Sequence, residues 1–211
     1  MWNKKNQIEG KLWAVSLLLT LLMVGCSDDD NITPEQPTAQ GTFVDARDGK
    51  EYHYVHLGGL DWSVENLSYD LGNRDLCCVY QDVDNFQAGV YSTAYREKYG
   101  MLYTYDGALL AVPEGWRLPT DGDWTALEQS YGYLSDSFGL LYAGYFTKNA
   151  GTAADNGSRF MGSWAYFWTA TDDESKEGQY YFARKKFYNR QQMERLSMEP
   201  TAHFLSVRFV R

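Results

Sequence analysis

The stretch at residues 115–124, GWRLPTDGDW, constrains the fold of this chain more than any other. Pro119 fixes its own φ and keeps the residue before it extended, so an extended segment is predicted to end here. Thr120 is a favoured N-cap residue, and Asp123 stands three positions later, where its side chain can return a hydrogen bond to the cap. The sequence therefore predicts a turn and a short capped helix that buries Trp124.

The other residues of this stretch are also interpreted as structural. Trp116 and Trp124 flank the turn, and we expect their rings to pack near each other. Leu127 and Tyr131 follow at helical spacings and continue the inner face of the helix. Arg117 has no nucleophile or base beside it in the sequence, so we expect it to form a structural ion pair or to bind a carbonyl group.

Residues 1–25 are predicted to form a signal peptide. Lysines give it a basic start, and the apolar run at residues 12–24 is shorter than the roughly 20 residues of a membrane span. The run ends in MVGC, which resembles the bacterial lipobox. This resemblance implies that Cys26 is acylated and becomes the first mature residue, and the alternative is an uncleaved anchor with an incidental cysteine.

An acidic cluster and a polar tether, residues 26–40, follow the apolar run. The sequence SDDD at residues 27–30 resembles the surface-export signal of lipoproteins in Bacteroidetes-type bacteria, and a solvated acidic linker is the alternative. Pro34, Pro37 and their polar neighbours favour a flexible tether. We therefore expect an outer-membrane protein that contacts the membrane through the lipid on Cys26 and faces the cell exterior.

Residues 41–211 are predicted to form one domain, which is long enough to bury a substantial core. The chain has a formal net charge of −9. Because it is acidic, nucleic acid and anionic membrane surfaces are poor partners for it. All 17 tyrosines and all 10 phenylalanines lie in this domain. Their rings either fill an aromatic core or stand on the surface, where they can stack on sugars.

Strand-like segments dominate the domain, with one or two short helices between them. The Asp48-Gly49 pair is a strong hairpin signal. Leu205, Val207 and Phe209 are expected on one side of a closing strand, with the arginines on the other side. The fold class is therefore α+β, with small twisted antiparallel sheets and long irregular loops. Strands are predicted near residues 42–45, 52–57, 61–67, 139–146, 166–171, 179–184 and 204–211.

No cofactor or metal is predicted. Asp82 and Asp84 resemble half of a calcium loop, but the loop glycine and the terminal glutamate are absent, so a solvated loop is preferred. His53 and His56 are expected on opposite faces of a strand. The adjacent cysteines at residues 77–78 are too close for an ordinary disulfide, so we expect buried structural thiols. A redox-active vicinal disulfide is the alternative.

Six segments, in order, resemble the Fibrobacter succinogenes major paralogous domain, a family found in bacterial surface lipoproteins. They are RDGK at residues 47–50, WSVENL at 62–67, YGMLYT at 99–104, the opening stretch at 115–124, YFWTAT at 166–171 and SVRFV at 206–210. The opening stretch and the C-terminal segment are also similar to the formylglycine-generating-enzyme domain. That similarity implies a C-type-lectin-like fold. Structural roles follow for Trp62, Trp116, Arg117, Pro119, Thr120, Trp124 and Trp168.

The resemblance implies a fold and a location but no ligand. Glu199-Pro200 is followed by Thr201, which departs from the calcium-binding motif of C-type lectins. Cys77 and Cys78 are adjacent, whereas the oxidase needs a spaced cysteine pair for copper. Neither site is therefore matched.

Three functions remain open. The first is a non-catalytic surface module that binds glycan or protein, because Tyr and Trp suit exposed recognition surfaces. The second is a structural or adhesive subunit that works through protein contacts. The third is an enzyme, although no Ser-His-Asp or Cys-His set is evident and the charges at residues 172–174 are typical of a solvated hairpin loop. We expect any binding site in the loops at residues 68–94 and 147–164. The candidate ligand contacts are Tyr91, Tyr95, Tyr133, Trp164 and Tyr188.

Overall fold

The computed structural model describes residues 40–79, 93–131, 138–148 and 157–211. All of these residues fall within one unit of the chain, Ile32–Arg211. Several predictions concern residues outside the described ranges and stay predictions. They are the lipidated cysteine and its tether, the calcium-like segment, and two of the candidate ligand contacts, namely Cys26, Asp82, Asp84, Tyr91 and Tyr133.

Three short helices and eleven strands make up the regular structure of the described residues. The helices are α1 (Thr93–Tyr99), α2 (Tyr105–Ala111) and α3 (Asp121–Tyr131). The strands are β1 (Gln40–Val44), β2 (Glu51–Leu57), β3 (Leu60–Ser63), β4 (Cys77–Cys78), β5 (Leu102–Tyr103), β6 (Tyr145–Thr147), β7 (Gly157–Arg159), β8 (Trp164–Asp172), β9 (Tyr181–Phe187), β10 (Glu194–Met198) and β11 (His203–Phe204).

The strands pair into small antiparallel sheets. Three of these sheets have the strand orders β1-β2-β3, β10-β9-β8 and β11-β6-β7, and β4 pairs with β5. The prediction of an α+β fold with small antiparallel sheets is therefore confirmed. The predicted number of helices is wrong, since three are present. The segment after β5 forms α2, where the Thr104 hydroxyl caps the first turn by accepting from Gly107 N at 3.1 Å.

The capped helix after Pro119 is confirmed in detail. The Asp123 amide donates to the Thr120 hydroxyl at 3.0 Å, and the Thr120 amide donates back to the Asp123 carboxylate at 2.7 Å. This is the reciprocal capping box, with aspartate in place of the usual longer side chain. Trp124 and Leu127 are buried on the inner face of α3, as predicted.

Trp116 and Trp124 belong to different core clusters, so the prediction that they pack together is wrong. The Trp116 ring lies 5.0 Å from that of Phe209. The Trp124 ring lies 4.8 Å from Trp62 and stacks on Phe167 of β8 at 5.2 Å. The two rings diverge because Trp116 precedes the turn, whereas α3 carries Trp124 towards β8.

The C-terminal segment is buried on both sides. Leu205, Val207 and Phe209 are buried as expected, and only His203–Phe204 forms a regular strand. The predicted closing strand over residues 204–211 is therefore wrong in extent. The segment threads between other elements and makes isolated pairings, for example between Arg117 and Val210.

Arg208 lies opposite the apolar residues of this segment and is fully buried, at 0% exposure. Its guanidinium donates to the carbonyl oxygens of Ser63 at 2.7 Å and Gly139 at 2.6 Å, to that of Val64, and to Asn66 Oδ1 at 2.9 Å. Burial lowers the pKa of Arg208 to about 9. Since every arm of the fork meets an oxygen, the guanidinium stays charged and ties the C-terminal segment to residues 63–66.

The predicted apolar strand at residues 139–146 is also wrong in extent. Gly139 and Gly144 have φ values of 68° and 65°, which a regular strand does not contain. Only Tyr145–Thr147 pairs in a sheet, as β6.

The two cysteines are free and buried, as expected. Cys77 and Cys78 are successive residues of β4, so they point to opposite faces and lie in different clusters. Burial raises the pKa of both thiols, which keeps them protonated. The two histidines of β2 also point to separate partners, with His53 2.6 Å from Glu65 and His56 2.9 Å from Asp61.

The helices among the described residues are short. None of them has both the length and the apolar character needed to cross a membrane.

Candidate functional site

A row of aromatic rings starts on the β8–β9 hairpin. Trp164 pairs with Phe187 and Tyr166 pairs with Lys185 in the register of the two strands. Paired residues of antiparallel strands share a face, so these four side chains stand on the same side of the sheet. Strand pairing thus places two aromatic rings of β8 beside one of β9 and a lysine.

Six rings form the continuous row, which we call the aromatic row. In order, the rings are Phe160, Tyr145, Tyr166, Trp164, Phe187 and Tyr188. Their successive centroid distances are 6.0, 5.0, 6.3, 4.5 and 4.8 Å. These spacings are typical of rings in direct contact.

The two ends of the aromatic row are open to solvent. Phe160 is 51% exposed and Tyr188 is 55% exposed. Trp164 is half-buried, and Tyr166 lies within the core. Burial, together with the neighbouring Tyr145 and Glu194, raises the pKa of Tyr166 to about 12, so its hydroxyl stays protonated. The row therefore has a fixed, packed middle and exposed rings at its ends.

The Phe160 end is held by an unusual backbone conformation. Phe160 has a φ of 64°, which is uncommon for a bulky residue. Its carbonyl accepts from Ser163 N at 3.1 Å and from Trp164 N at 3.0 Å, and these bonds close a turn that leads into β8. Strained residues of this kind persist where the surrounding structure over-determines them, and they cluster at functional sites.

Gly144 allows the backbone to pass close to the turn at Phe160, because a Cβ on residue 144 would lie 2.0 Å from the carbonyl oxygen of Arg159. The Gly144 amide also donates to the Trp164 carbonyl at 2.8 Å. The close approach places Tyr145 against the turn that carries Phe160.

A polar surface cavity of about 630 Å³ begins directly after Tyr188, at the other end of the aromatic row. Volumes of this size are typical of ligand sites. Amide side chains donate and accept hydrogen bonds, and charged side chains either donate or accept them. A lining of these side chains can therefore bind hydroxyl groups. The lining residues are Asn189, Arg190, Gln191, Gln192, Met193 and Glu194.

Buried groups brace the turn that forms this cavity. Lys186 is buried, and its ammonium donates to the carbonyl of Gln191 at 2.7 Å and to that of Arg190. The Met193 amide donates to Glu128 Oε1 on α3 at 2.7 Å. Burial raises the pKa of Glu128 and outweighs this hydrogen bond, which lowers it. The backbone of the cavity is therefore fixed before any ligand arrives.

Charged side chains connect the cavity to the aromatic row. The Lys185 ammonium lies 4.4 Å from the centre of the Trp164 ring and 2.6 Å from Glu194 Oε2. Arg190 also pairs with Glu194, at 2.8 Å. The hydrogen bond from Lys185 and the nearby charges lower the pKa of Glu194, so it is ionised at neutral pH.

This arrangement suits binding. Rings at contact spacing offer stacking surfaces, and the adjoining cavity offers hydrogen bonds. The described residues contain no group of three or more His, Cys, Asp or Glu side chains placed to hold a metal ion. The carboxylate of Asp173, a residue of the charged hairpin loop, accepts from the amide and hydroxyl of Ser175 at 3.1 and 2.5 Å and so stabilises the turn.

Residues 55–137 match the family model described as the Fibrobacter succinogenes major domain. This segment of the chain is a match to the Fibrobacter succinogenes major domain. No curated protein and no solved structure shows a significant match to the chain. The family match confirms the resemblance that the sequence segments indicated.

The region matched to the Fibrobacter succinogenes major domain holds the capped helix and Trp62 but not the aromatic row. Three of the six resembling segments, at residues 47–50, 166–171 and 206–210, also lie outside it. The aromatic row and its cavity, at residues 145–194, follow the matched region in the chain.

The structure joins two of the five predicted ligand contacts. Trp164 and Tyr188 are both in the aromatic row, with the Phe187 ring between them. Tyr95 lies on α1 instead, where its ring contacts that of Tyr99 at 6.4 Å. Tyr91 and Tyr133 are outside the described residues.

Five residues of the predicted structural motif lie in the interior of the domain. Trp62, Trp116, Pro119, Trp124 and Trp168 are buried. The Trp168 indole donates to the Tyr103 carbonyl at 2.7 Å. Arg117 pairs with Asp123 at 2.6 Å and donates to the Leu118 carbonyl at 3.1 Å.

Sequence reasoning missed four rings of the row, Phe160, Tyr145, Tyr166 and Phe187, and the charged residues Lys185, Arg190 and Glu194. The alternation of the paired strands could have placed Phe187 and Lys185 opposite Trp164 and Tyr166 if the register had been known. No local signal marks Phe160 or Tyr145, because their contact depends on the turn fixed by Gly144.

Proposed function

We propose that this chain is a non-catalytic binding module whose aromatic row takes glycan chains. The observation that carries this proposal is the continuous row of six rings with exposed ends, Phe160 and Tyr188. Sugar rings present apolar C–H faces that stack on aromatic rings, and rigid aromatic side chains lose little entropy when they bind.

The polar cavity supports the same proposal. Its amide and charged side chains lie beside Tyr188, where they can bind the hydroxyl groups of a sugar stacked on the row. Sites with an apolar platform and a few oriented polar groups are typical of small-molecule recognition.

The proposed location is the outer membrane, facing the cell exterior and anchored through the lipid on Cys26. The lipobox-like MVGC and the following SDDD support it. Several acyl chains on one cysteine anchor a protein stably, because each buried methylene contributes about 0.8 kcal/mol. A Cys26→Ala variant should lose incorporation of labelled palmitate, and the wild-type protein should be digested by protease added to intact cells. Unchanged labelling or full protection would contradict this location.

We further propose that the fold is C-type-lectin-like. The small antiparallel sheets, short helices and irregular connections support it. An experimental structure whose strand order differs from that fold would overturn the assignment.

A second candidate function is that of an adhesive subunit working through protein contacts. The observation that favours it is the exposure of Leu109 and Leu110 on α2, at 52% and 61%. Leu109 borders a surface cavity of about 470 Å³ that is also lined by Trp116 and Leu118. Exposed apolar side chains beside a cavity are common at protein interaction sites.

A glycan array with the full-length chain in detergent tests the proposed function. Binding to at least one glycan is expected, with loss of that signal in Tyr188→Ala. Tyr95→Ala is the matched control, because it removes the same side chain from α1. Array binding that is absent, or that survives in Tyr188→Ala, would overturn the glycan proposal. Copurification of a surface protein that depends on Leu110 would then favour the adhesive subunit.

A further inference from the structure

The cations near the aromatic row differ in their burial and in their partners. Arg184 and Lys186 belong to β9 and are both buried. Arg184 pairs with Asp121 at 2.6 Å, and Lys186 binds main-chain carbonyls. Both of these charges are satisfied inside the protein and hold α3 and the cavity turn in place.

Two further cations, Lys185 and Arg190, lie beside the row and cavity, and the Lys185 side chain is 17% exposed. Both pair with the same carboxylate, that of Glu194, at 2.6 and 2.8 Å. One carboxylate neutralises one cation, so this group of three side chains carries a net positive charge. The chain as a whole has a net charge of −9, so the charge of this group is opposite in sign to that of the chain.

Position and exposure make this excess charge available to a ligand. The Lys185 ammonium lies over the Trp164 ring, so it is close to any ligand that contacts the rest of that ring. Arg190 lines the cavity, and its side chain is 64% exposed. Arginine offers several donors in a planar fork that matches a carboxylate or a sulfate.

We propose that the aromatic row binds an anionic glycan, whose sugar ring stacks on Trp164 or Tyr188 and whose carboxylate or sulfate is received by Lys185 and Arg190. This inference rests on the proposed function of the same site. Glu194 stays in place as the group that orients both cations, and the ligand anion supplies the charge that the cluster lacks. A neutral glycan would use the rings and the amides but not the excess charge.

Titration calorimetry on the full-length chain tests the inference with matched probes. The probes are an oligogalacturonate, its fully methyl-esterified form, and a sulfated neutral oligosaccharide with its unsulfated parent. We expect each anionic form to bind at least about tenfold tighter than its neutral match, which is about 1.4 kcal/mol. This preference should shrink between about 0.01 M and about 1 M salt, because salt screens exposed charges. The relative affinities of the carboxylated and sulfated forms distinguish the two anions.

Variants that each remove one positive charge test whether the anionic probes bind at this site or are attracted by positive charge elsewhere on the surface. Arg190→Gln should remove most of the preference for the anionic probes over their neutral matches. Lys176→Gln is the matched control, because it removes one exposed positive charge in the turn at the other end of the β8–β9 hairpin. It should leave the preference intact.

The outcomes distinguish this inference from the proposed function. Equal binding of anionic and neutral probes would overturn the anionic ligand while the glycan module stands. An equal loss of preference in Lys176→Gln and Arg190→Gln would also overturn it, since the attraction would not be local. Failure of all four probes, together with a blank array, would overturn both.

Discussion

The Lys185 ammonium lies 4.4 Å from the centre of the Trp164 ring and is held there by Glu194 at 2.6 Å. This contact joins the aromatic row to the charged edge of the cavity. A cation over an indole face contributes about 0.5–2 kcal/mol, with the larger values where the pair is removed from water. The Lys185 side chain is 17% exposed, so the contact helps to fix the orientation of the Trp164 ring.

The strained backbone of Phe160 predicts opposite effects on stability and binding. Phe160→Gly should keep the free energy of unfolding unchanged or raise it by up to about 1 kcal/mol, because glycine adopts positive φ without a steric penalty and the lost ring is half exposed. Glycan binding should weaken because the end of the row is gone. Urea unfolding and calorimetry measure the two effects.

The control for this prediction is Phe160→Ala, which removes the ring but keeps the strain. It should weaken binding as much as Phe160→Gly while lowering stability. Equal stabilities of the two variants would show that the backbone of residue 160 is not strained.

The close approach at Gly144 predicts a large cost for an added methyl group. Gly144→Ala should destabilise the protein by about 3 kcal/mol or more, because the new Cβ meets the Arg159 carbonyl and the backbone must shift. Gly162→Ala is the control, since Gly162 also has positive φ, 80°, but has no atom within 4 Å of the added Cβ. Its cost should be about 1 kcal/mol. Equal melting temperatures for the two variants would contradict the close approach of Gly144 to the Arg159 carbonyl.

The buried guanidinium of Arg208 predicts one of the largest single-site effects in the chain. Arg208→Met should destabilise the protein by about 3–5 kcal/mol, because it leaves carbonyl oxygens of residues 63, 64 and 139 buried without donors. Arg195→Met removes an exposed arginine that pairs with Asp121 at 3.3 Å, and it should cost less than about 1 kcal/mol. Denaturant unfolding measures the stability of both variants. Similar unfolding midpoints would contradict the proposed contribution of Arg208 to stability.

The capping box predicts a pH dependence of stability. Burial raises the pKa of Asp123, but hydrogen bonds from Arg117 and Thr120 outweigh it and lower the pKa below its usual value. Its contribution to stability is therefore complete above the unfolded pKa of about 3.9 and is lost as the pH falls through the folded pKa. Wild type should lose more free energy of unfolding between about pH 5 and about pH 2 than Asp123→Asn does. Parallel curves would show that Asp123 is not linked to folding.

Local signals predicted the parts of the fold that depend on neighbouring residues. The capping box at Thr120 and Asp123 and the hairpin turn at Asp48-Gly49 need only adjacent side chains and backbone, so their sequence patterns were sufficient. The burial of Trp124 followed from helical spacing.

Features that depend on distant contacts could not be predicted in the same way. The burial of Arg208 requires carbonyl groups from residues 63, 64 and 139, which the sequence does not bring together. Trp116 and Trp124 separate because β8 packs against α3. In the candidate site, Trp164 and Tyr188 were predicted from their residue type, but the row that joins them depends on the pairing of β8 with β9.

The most direct test of the aromatic row is calorimetric titration of a glycan that binds on the array against wild type, Trp164→Ala and Trp164→Phe. Trp164→Ala is expected to weaken binding at least about tenfold, or about 1.4 kcal/mol, whereas Trp164→Phe should retain most of the affinity because it keeps a ring between Tyr166 and Phe187. Far-ultraviolet circular dichroism checks that each variant is folded. Unchanged affinity in folded Trp164→Ala would contradict the assignment of the aromatic row as the glycan-binding surface.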